Sequence, residues 1–248
     1  MIKLPPNHNE DYLFLVLIHE IQKEFSNHAI LKGGMVLKLL GSNRKTLDLD
    51  YTFIPFKSKN DVLDDLKKLC TSIEGASVQV SLNSKAIRLI IKTEKASVQV
   101  EVQVSQKCKS VPMSTKELSK EFTLAPRVIK VMSYDTSLAN KLAAWFERRL
   151  MRDLYDIYFL SSVAGPIIDM PILLDRLSHV ESRIPQLKKI KKVKLSDFFS
   201  ELKKTTADLE ESDLRNELTG FLVEAELTGL HLKMRKIIFD LISKYNEE

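Results

Sequence analysis

The stretch TLDLDYTF, residues 46–53, constrains the fold most, because apolar and acidic side chains alternate along it. Successive side chains of a β-strand point to opposite faces, so Asp48 and Asp50 stand together on one of them. The other face takes the apolar side chains of Leu47, Leu49, Tyr51 and Phe53. Two like charges that close together repel each other unless solvent or a cation compensates them. We therefore expect a half-buried strand whose acidic face either binds a metal ion or is simply solvated.

A second strand, ASVQVEVQVS at residues 96–105, alternates still more regularly. Alanine and valine occupy one face, and Glu101 lies between two glutamines on the other. If this strand neighbours the acidic strand, Asp48, Asp50 and Glu101 converge on one open face of the sheet. Mg²⁺ prefers such oxygen ligands, and three carboxylates that hold two ions are the arrangement used for in-line phosphoryl displacement. A solvated Glu101 is the alternative.

Two adjacent glycines precede the acidic strand, in LKGGM at residues 31–35. A Gly-Gly pair lets the backbone approach a phosphate closely, and a helix that starts there directs free N–H groups towards an anion. Lys32, Gly33 and Gly34 are therefore candidate nucleotide-binding residues, although an ordinary tight turn explains the glycines too. The motif is not a P-loop, because the spacing GxxxxGK[ST] is absent.

A long helical pattern, from about residue 134 to the end of YFLSS, carries one basic stripe. At about 100° per residue, Lys141, Arg148 and Arg152 fall near a common line. Asp156 lies on the same side and is the acid that this geometry favours for catalysis. A solvated face with an Arg152–Asp156 ion pair is the alternative. The apolar stripe comprises Leu142, Ala143, Phe146, Leu150, Leu154 and Ile157.

Composition restricts the class of protein and its partners. The 248 residues are 44% hydrophobic and 29% charged, which is typical of a globular chain with one large domain or two smaller ones. A net charge of +5 favours an anionic partner, such as a nucleotide or RNA. Cys70 and Cys108 show no zinc-site spacing, and the beginning of the chain has no signal-peptide core. We expect a cytoplasmic protein that contacts no membrane.

The kind of secondary structure changes along the chain, which predicts two domains. Beyond VAGP at residues 163–166 the pattern is helical throughout. We therefore expect a mixed α/β domain over residues 1–165 and a helical bundle over residues 166–248. Further expected elements of the first domain are helices at 10–25, 35–40 and 60–72 and strands at 77–82 and 86–92.

A dense lysine cluster, KKIKKVK at residues 188–194, lies in the expected helical domain. Its lysines suit a nucleic-acid backbone, while the apolar residues between them pack inwards. A solvated helix or loop is the alternative. No aromatic residue is interleaved with the lysines, so base stacking is not indicated.

Three segments taken together resemble one known family. They are LKGGMVLKLL, then RKTLDLDYTF, then LANKLAAWFERRLMRDLYDIYFL. The AbiEii-type nucleotidyltransferases, relatives of bacterial toxins from type IV toxin–antitoxin and abortive-infection systems, likewise pair a GG helix entry with an acidic DxD strand. A lysine helix with an RDxxD ending follows in that family. The resemblance covers roughly residues 29–160, and the order and spacing of the motifs make it specific.

The resemblance implies an α+β fold, in which a polymerase-β-like nucleotidyltransferase domain with a mixed sheet precedes a helical bundle. It implies a Mg²⁺-dependent enzyme that transfers a nucleoside monophosphate from an NTP to an RNA, such as tRNA, or to a protein. It also implies that the protein is a toxin with a cognate antitoxin as its partner.

The resemblance also implies roles for particular residues. Asp48 and Asp50 would hold the metal ions, and we add Glu101 as third ligand from its position in the alternating strand. Lys141 would contact the triphosphate, and we place Asp156 beside it in the catalytic set on the basis of the helical geometry. Arg44, just before the acidic strand, suits either substrate contact or solvation. The implied and candidate nucleotide-binding residues are Lys32, Gly33, Gly34, Arg44, Arg148 and Arg152.

One departure from the family pattern supports a rival hypothesis. Met35 follows the glycines where the family usually has a small Ser or Thr, so a hydroxyl ligand for phosphate is missing. The rival is a catalytically weak or inactive regulator that binds nucleotides or RNA on the same fold.

Overall fold

Seven strands form one mixed sheet in the computed structural model, which describes residues 1–245. The strand order is β3-β4-β5-β2-β1-β7-β6. The pairs β2–β5 and β1–β7 are parallel, and the other neighbouring pairs are antiparallel. The strands are β1 (Ala29–Lys32), β2 (Asp48–Phe53), β3 (Ser77–Leu82), β4 (Ile87–Lys92), β5 (Ser97–Val104), β6 (Ser110–Ser114) and β7 (Val128–Met132).

The sheet belongs to the first of two units, which we call the sheet unit and which comprises Met1–Ser42 and Thr46–Ser133. The second, the helical unit, comprises Asn43–Lys45 and the chain from Tyr134 onwards. The structure thus divides the chain between Ser133 and Tyr134, whereas the sequence pattern places the boundary near residue 165. The reason is that the helices on either side of residue 150 share one hydrophobic core with the later helices.

Four helices accompany the sheet: α1 (Glu10–Phe25), α2 (Gly34–Leu39), α3 (Asn60–Thr71) and α4 (Lys116–Lys120). Helix α1 begins where Asn9 Oδ1 accepts a hydrogen bond from the Tyr12 backbone N–H at 2.9 Å, and Glu10 and Asp11 suit the positive end of its dipole. Helix α1 contacts β1, β5 and β7, and α3 contacts β3 and β4. The apolar face of the sheet is thereby buried.

The expected strands are confirmed, including the acidic strand and the alternating strand, and so are the expected helices at the start of the chain. Two details differ. Leu47, which we expect on the apolar face, is instead 52% exposed, because β2 begins at Asp48, two residues after the expected start at residue 46. The sequence does not predict the strands β1, β6 and β7 or the helix α4, since their short runs show no periodicity long enough to indicate an element.

The helical unit contains seven helices among the described residues and no strand. Its core surrounds Trp145 and Phe198, whose ring centroids are 6.0 Å apart, and includes residues from all seven helices. None of the described helices is both long and apolar enough to cross a membrane. The helices are α5 (Tyr134–Arg148), α6 (Met151–Val163), α7 (Met170–Ser178), α8 (Leu195–Asp208), α9 (Glu211–Leu218), α10 (Glu224–Leu227) and α11 (Leu230–Ser243).

The expectation of one continuous helix through residue 150 is wrong, because the helix breaks between α5 and α6. Arg149 has φ 55°, in the left-handed region, and its backbone N–H donates to Trp145 O at 2.7 Å. The Arg149 guanidinium lies over the rings of Trp145 and Phe146, at 4.7 and 4.6 Å from their centroids, and donates to Glu201 at 2.9 Å. These contacts stabilise the unusual backbone. Arg152 therefore does not share a helical stripe with Lys141.

Candidate active site

The predicted carboxylates lie on neighbouring strands. In the parallel register of β2 and β5, Asp48 pairs with Gln99 and Asp50 pairs with Glu101. Paired residues project from the same face of a sheet, so Asp48, Asp50 and Glu101 share one face. All three are half-buried. The sheet thus brings together the three acids that the two alternating sequences indicate.

Glu101 also contacts a cation that the sequence analysis missed. The Arg88 guanidinium donates to Glu101 Oε2 at 3.1 Å, across the antiparallel pair β4–β5 in which the two residues are partners. Arg88 keeps 44% of its side chain exposed. The signal was present in IRLIIK, where Arg88 lies on the polar side of an alternating strand.

The Gly33 backbone lies directly against the acidic strand. Gly33 has φ 75° and ψ −153°, a conformation that side chains rarely permit. A Cβ atom built there would lie 3.1 Å from Asp50 Cγ and closer still to Asp50 Oδ2. Only glycine fits this position without displacing the carboxylate. Gly34 then begins α2, and the side chain of Met35 is fully buried in the core.

Lys32 places a positive charge on the same region of the sheet. It is the antiparallel partner of Asp50 in β1–β2, and its Nζ donates to Gln103 Oε1 at 2.7 Å. Lys32, Asp50 and Glu101 therefore occupy successive strands in the order β1, β2, β5. This strip, in which one cation lies beside two carboxylates, suits a ligand that carries both metal ions and phosphate groups.

The helical unit holds a second cluster, centred on Asp156. Its carboxylate is 1% exposed and accepts hydrogen bonds from Arg44 Nε at 2.9 Å, from Arg44 Nη2 at 3.3 Å and from Lys141 Nζ at 2.6 Å. Arg44 is itself buried. Arg44 is therefore not solvated, and Asp156 does not pair with Arg152, which are the two alternatives that the sequence left open. Asp156 fixes the positions of two cations instead.

The segment that carries Arg44 is held within the helical unit by its backbone and side chains. The Lys45 N–H donates to Phe221 O at 2.8 Å, and Asn43 Nδ2 donates to Glu226 Oε1. The sequence offered no signal for the Arg44–Asp156 ion pair, because its members are far apart along the chain.

Arg148 and Asp153 form a further pair in the same unit. Arg148 donates to both Asp153 carboxylate oxygens, at 2.6 and 3.0 Å, and the carboxylate is 1% exposed. Burial raises the pKa of the Asp153 carboxyl, while the charges of Lys141 and Arg148 oppose that rise. The Arg152 backbone N–H donates to Glu217 at 3.3 Å.

The donor set on β2 suits Mg²⁺, although it is not a complete cage. Among the described residues, no group of three or more His, Cys, Asp or Glu side chains is arranged to hold a metal ion. Mg²⁺ is usually bound through only one or two carboxylates, and waters and substrate phosphates complete its octahedron. Asp48 and Asp50 therefore fit a magnesium ion that arrives with a nucleotide.

Comparison with known proteins shows what class of protein this fold defines. The structure of JHP933 from Helicobacter pylori matches with a TM-score of 0.55 and 17% identity, over 96% of this chain and 92% of that one. MenT4, the nucleotidyltransferase toxin Rv2826c from Mycobacterium tuberculosis H37Rv, matches with a TM-score of 0.60 and 18% identity, over 94% and 82%. The chain thus has an α+β nucleotidyltransferase fold.

The family follows from the sequence itself. The model of the family described as nucleotidyl transferase AbiEii toxin, type IV TA system, matches residues 16–229. The chain belongs to this family, which confirms the resemblance of its motifs, and it is a nucleotidyltransferase. No curated protein matches the chain.

Proposed function

We propose that this protein is a toxin that transfers a nucleoside monophosphate from an NTP to an RNA, such as tRNA, or to a protein, with Mg²⁺ as cofactor. One observation carries the proposal: in a chain of the AbiEii family, Asp48 and Asp50 share a face of β2, and a side-chain-free Gly33 backbone lies against Asp50.

The reaction is an in-line displacement at the α-phosphorus of the NTP. A nucleophilic atom of the acceptor forms a bond to that phosphorus, and the bond to the bridging oxygen of the leaving pyrophosphate breaks. The pyrophosphate takes the electron pair, and the acceptor gives its proton to a base. We propose that the carboxylate of Glu101 acts as this base. Catalysis of such a step consists mainly of positioning and charge neutralisation.

The residues of the sheet unit have distinct parts in this proposal. Asp48 and Asp50 would hold Mg²⁺. A bound Mg²⁺ ion would neutralise part of the negative charge of the phosphates. The backbone of Gly33 and Gly34 would lie close to the phosphates, because no Cβ atom covers the backbone of a glycine. Lys32 would add a cation beside Asp50.

Four cationic residues of the helical unit would contact phosphate groups. They are Lys141, Arg44, Arg148 and Arg152. The sequence predicts Asp156 as catalytic. Because its carboxylate is buried and engaged with Arg44 and Lys141, we propose instead that it positions these two cations. Asp153 would do the same for Arg148.

A labelling experiment tests the proposal directly. The protein is incubated with each α-³²P-labelled NTP, Mg²⁺ and bacterial RNA or protein, and the labelled macromolecule is identified. We expect label with the wild-type chain and its loss in Asp48→Asn/Asp50→Asn. Asp64→Asn, which removes an exposed aspartate of α3, should label normally. Mg²⁺-dependent nucleotide binding without any label would support the inactive regulator instead.

The toxin and its antitoxin partner form a separate part of the proposal. The support is the type IV toxin–antitoxin description of the family. Induced expression in a bacterial host should arrest growth with the wild-type chain and not with Asp48→Asn/Asp50→Asn. Growth that is arrested equally by both chains would contradict a toxicity based on transfer.

A further inference from the structure

The lysine segment, residues 183–194 of the helical unit, carries six cationic side chains and no acidic one. All six are exposed. Within residues 1–245, none of them forms an ion pair. The flanking acids are only Glu181 and Asp197. The cations are Arg183, Lys188, Lys189, Lys191, Lys192 and Lys194.

The backbone of the lysine segment is attached to the neighbouring helix at two points. The Val180 N–H donates to Lys191 O at 3.0 Å, and the Val193 N–H donates to Leu177 O at 2.9 Å. Just before the segment, Ser182 Oγ donates to Glu147 O at 2.6 Å. These bonds hold the segment against the ends of α5 and α7, so the cations are displayed on a fixed support.

The side chains of the lysine segment divide into two sets. Leu187, Ile190 and Val193 are half-buried, and Val193 packs against the core of the helical unit. The lysines between them point to solvent, in a stretch that is neither helix nor strand. The sequence spacing KKIKKVK thus reflects anchoring of the backbone and not an amphipathic helix.

We infer that the lysine segment is a docking surface for the phosphate backbone of RNA. Exposed lysines without carboxylate partners bind phosphates and release the counterions condensed on the nucleic acid, which makes binding favourable and salt-dependent. The segment contains no aromatic residue and no exposed large apolar side chain. The segment therefore has no side chain that could stack on a base or insert into a lipid surface.

Lysine ammonium groups act as point charges, so this surface would read the RNA backbone and not its sequence. The inference concerns binding alone. Only the further step, that the bound RNA is the acceptor of the transfer, rests on the proposed function.

The test is fluorescence anisotropy of a labelled, mixed-sequence RNA hairpin with the full chain and no NTP. The variant Lys188→Gln/Lys189→Gln/Lys191→Gln/Lys192→Gln removes four charges from the segment. We expect its affinity to fall by about ten- to a hundredfold at ~100 mM salt, and the slope of log K against log salt to become shallower by about 2 to 4.

A matched control removes four exposed lysines elsewhere, in Lys67→Gln/Lys68→Gln/Lys203→Gln/Lys204→Gln. It should bind within about twofold of the wild type. Equal losses in both variants would show a diffuse charge effect and overturn the inference. The inference would also be overturned if a polyglutamate of matched charge bound more tightly than the RNA and required the lysine segment. That result would indicate an acidic protein partner.

Two further measurements make the outcome unambiguous. If the fourfold variant does not fold, Lys188→Gln/Lys189→Gln and Lys191→Gln/Lys192→Gln are measured separately, and an unchanged affinity in both overturns the inference. Asp48→Asn/Asp50→Asn should bind RNA as the wild type does. Lysine-dependent binding without label transfer by the wild type would contradict the proposed function and leave the docking surface supported.

Discussion

Asp50 and Glu101 are partners in the parallel register of β2 and β5, so two distant parts of the chain present carboxylates side by side on one sheet face. Arg88 contacts Glu101 from the next strand, and Lys32 is the partner of Asp50 on the other side. A sheet places charges at spacings of about 5 Å, which is within direct reach of a divalent ion. The strand order therefore determines which charges a bound nucleotide would meet.

Replacing Gly33 by alanine should reduce transfer strongly. The added Cβ would meet the Asp50 carboxylate at a backbone φ of 75°. We expect activity to fall by about a hundredfold, since small misplacements in a site have such effects, and unfolding free energy to fall by about 1–3 kcal/mol.

Gly41→Ala is the matched control for Gly33→Ala. Gly41 also has a positive φ, 96°, but a Cβ there would meet nothing within 4 Å. It should lose about 1 kcal/mol of stability and keep its transfer rate within a few-fold. Equal losses of rate in both variants, measured alongside urea unfolding, would show that backbone strain and not the Asp50 contact is responsible.

Glu101 and Arg88 should have opposite effects on the requirement for Mg²⁺. Glu101→Gln removes a negative charge, so we expect transfer to fall by about tenfold or more and half-saturation to need more Mg²⁺. Arg88→Gln removes the positive charge that competes for Glu101 and should lower the half-saturating Mg²⁺ concentration by a few-fold. Titration of the transfer rate with Mg²⁺ measures both. A rise in that concentration for Arg88→Gln would argue that Arg88 binds the nucleotide itself.

Local patterns were sufficient to predict the carboxylates, because strand alternation and glycine chemistry depend only on neighbours in sequence. The adjacency of β2 and β5 was a hypothesis that the register supports. The break at Arg149 could not be predicted, since no Gly or Pro marks it and contacts with Trp145 and Glu201 stabilise it. The ion pair between Arg44 and Asp156 was equally inaccessible, because it depends on tertiary structure.

Removing the Asp156 carboxylate should destabilise the helical unit. Asp156→Ala leaves Arg44, which is buried, and Lys141 without this shared partner. Breaking a buried ion pair from one side costs about 3–5 kcal/mol. Asp175→Ala, which removes an exposed carboxylate 3.8 Å from His179, should cost less than about 1 kcal/mol. Urea unfolding of both variants checks this, and similar midpoints would show that the Asp156 cluster contributes little to folding.

Acid should weaken the sheet unit through His19. This imidazole is 7% exposed, and its Nε2 shares a hydrogen bond with Thr115 Oγ1 at 2.9 Å. Burial, assisted by the charge of Arg127, lowers the pKa of His19 to about 4 from its ordinary value of 6.5. Between those two pH values, His19 is protonated in the unfolded chain but not in the folded chain. The stabilisation is therefore complete above pH 6.5 and is lost as the pH falls towards 4, by at most about 3 kcal/mol.

His19→Gln isolates this effect, because glutamine keeps a polar group that can reach Thr115 and does not titrate. Urea unfolding of the wild type and the variant, measured at intervals from pH 7 down to pH 4, gives the difference in unfolding free energy. We expect that difference to shrink as the pH falls, since only the wild type loses the contribution of its neutral imidazole. A constant difference across the range would show that His19 is protonated equally in both states and that other groups cause any acid sensitivity.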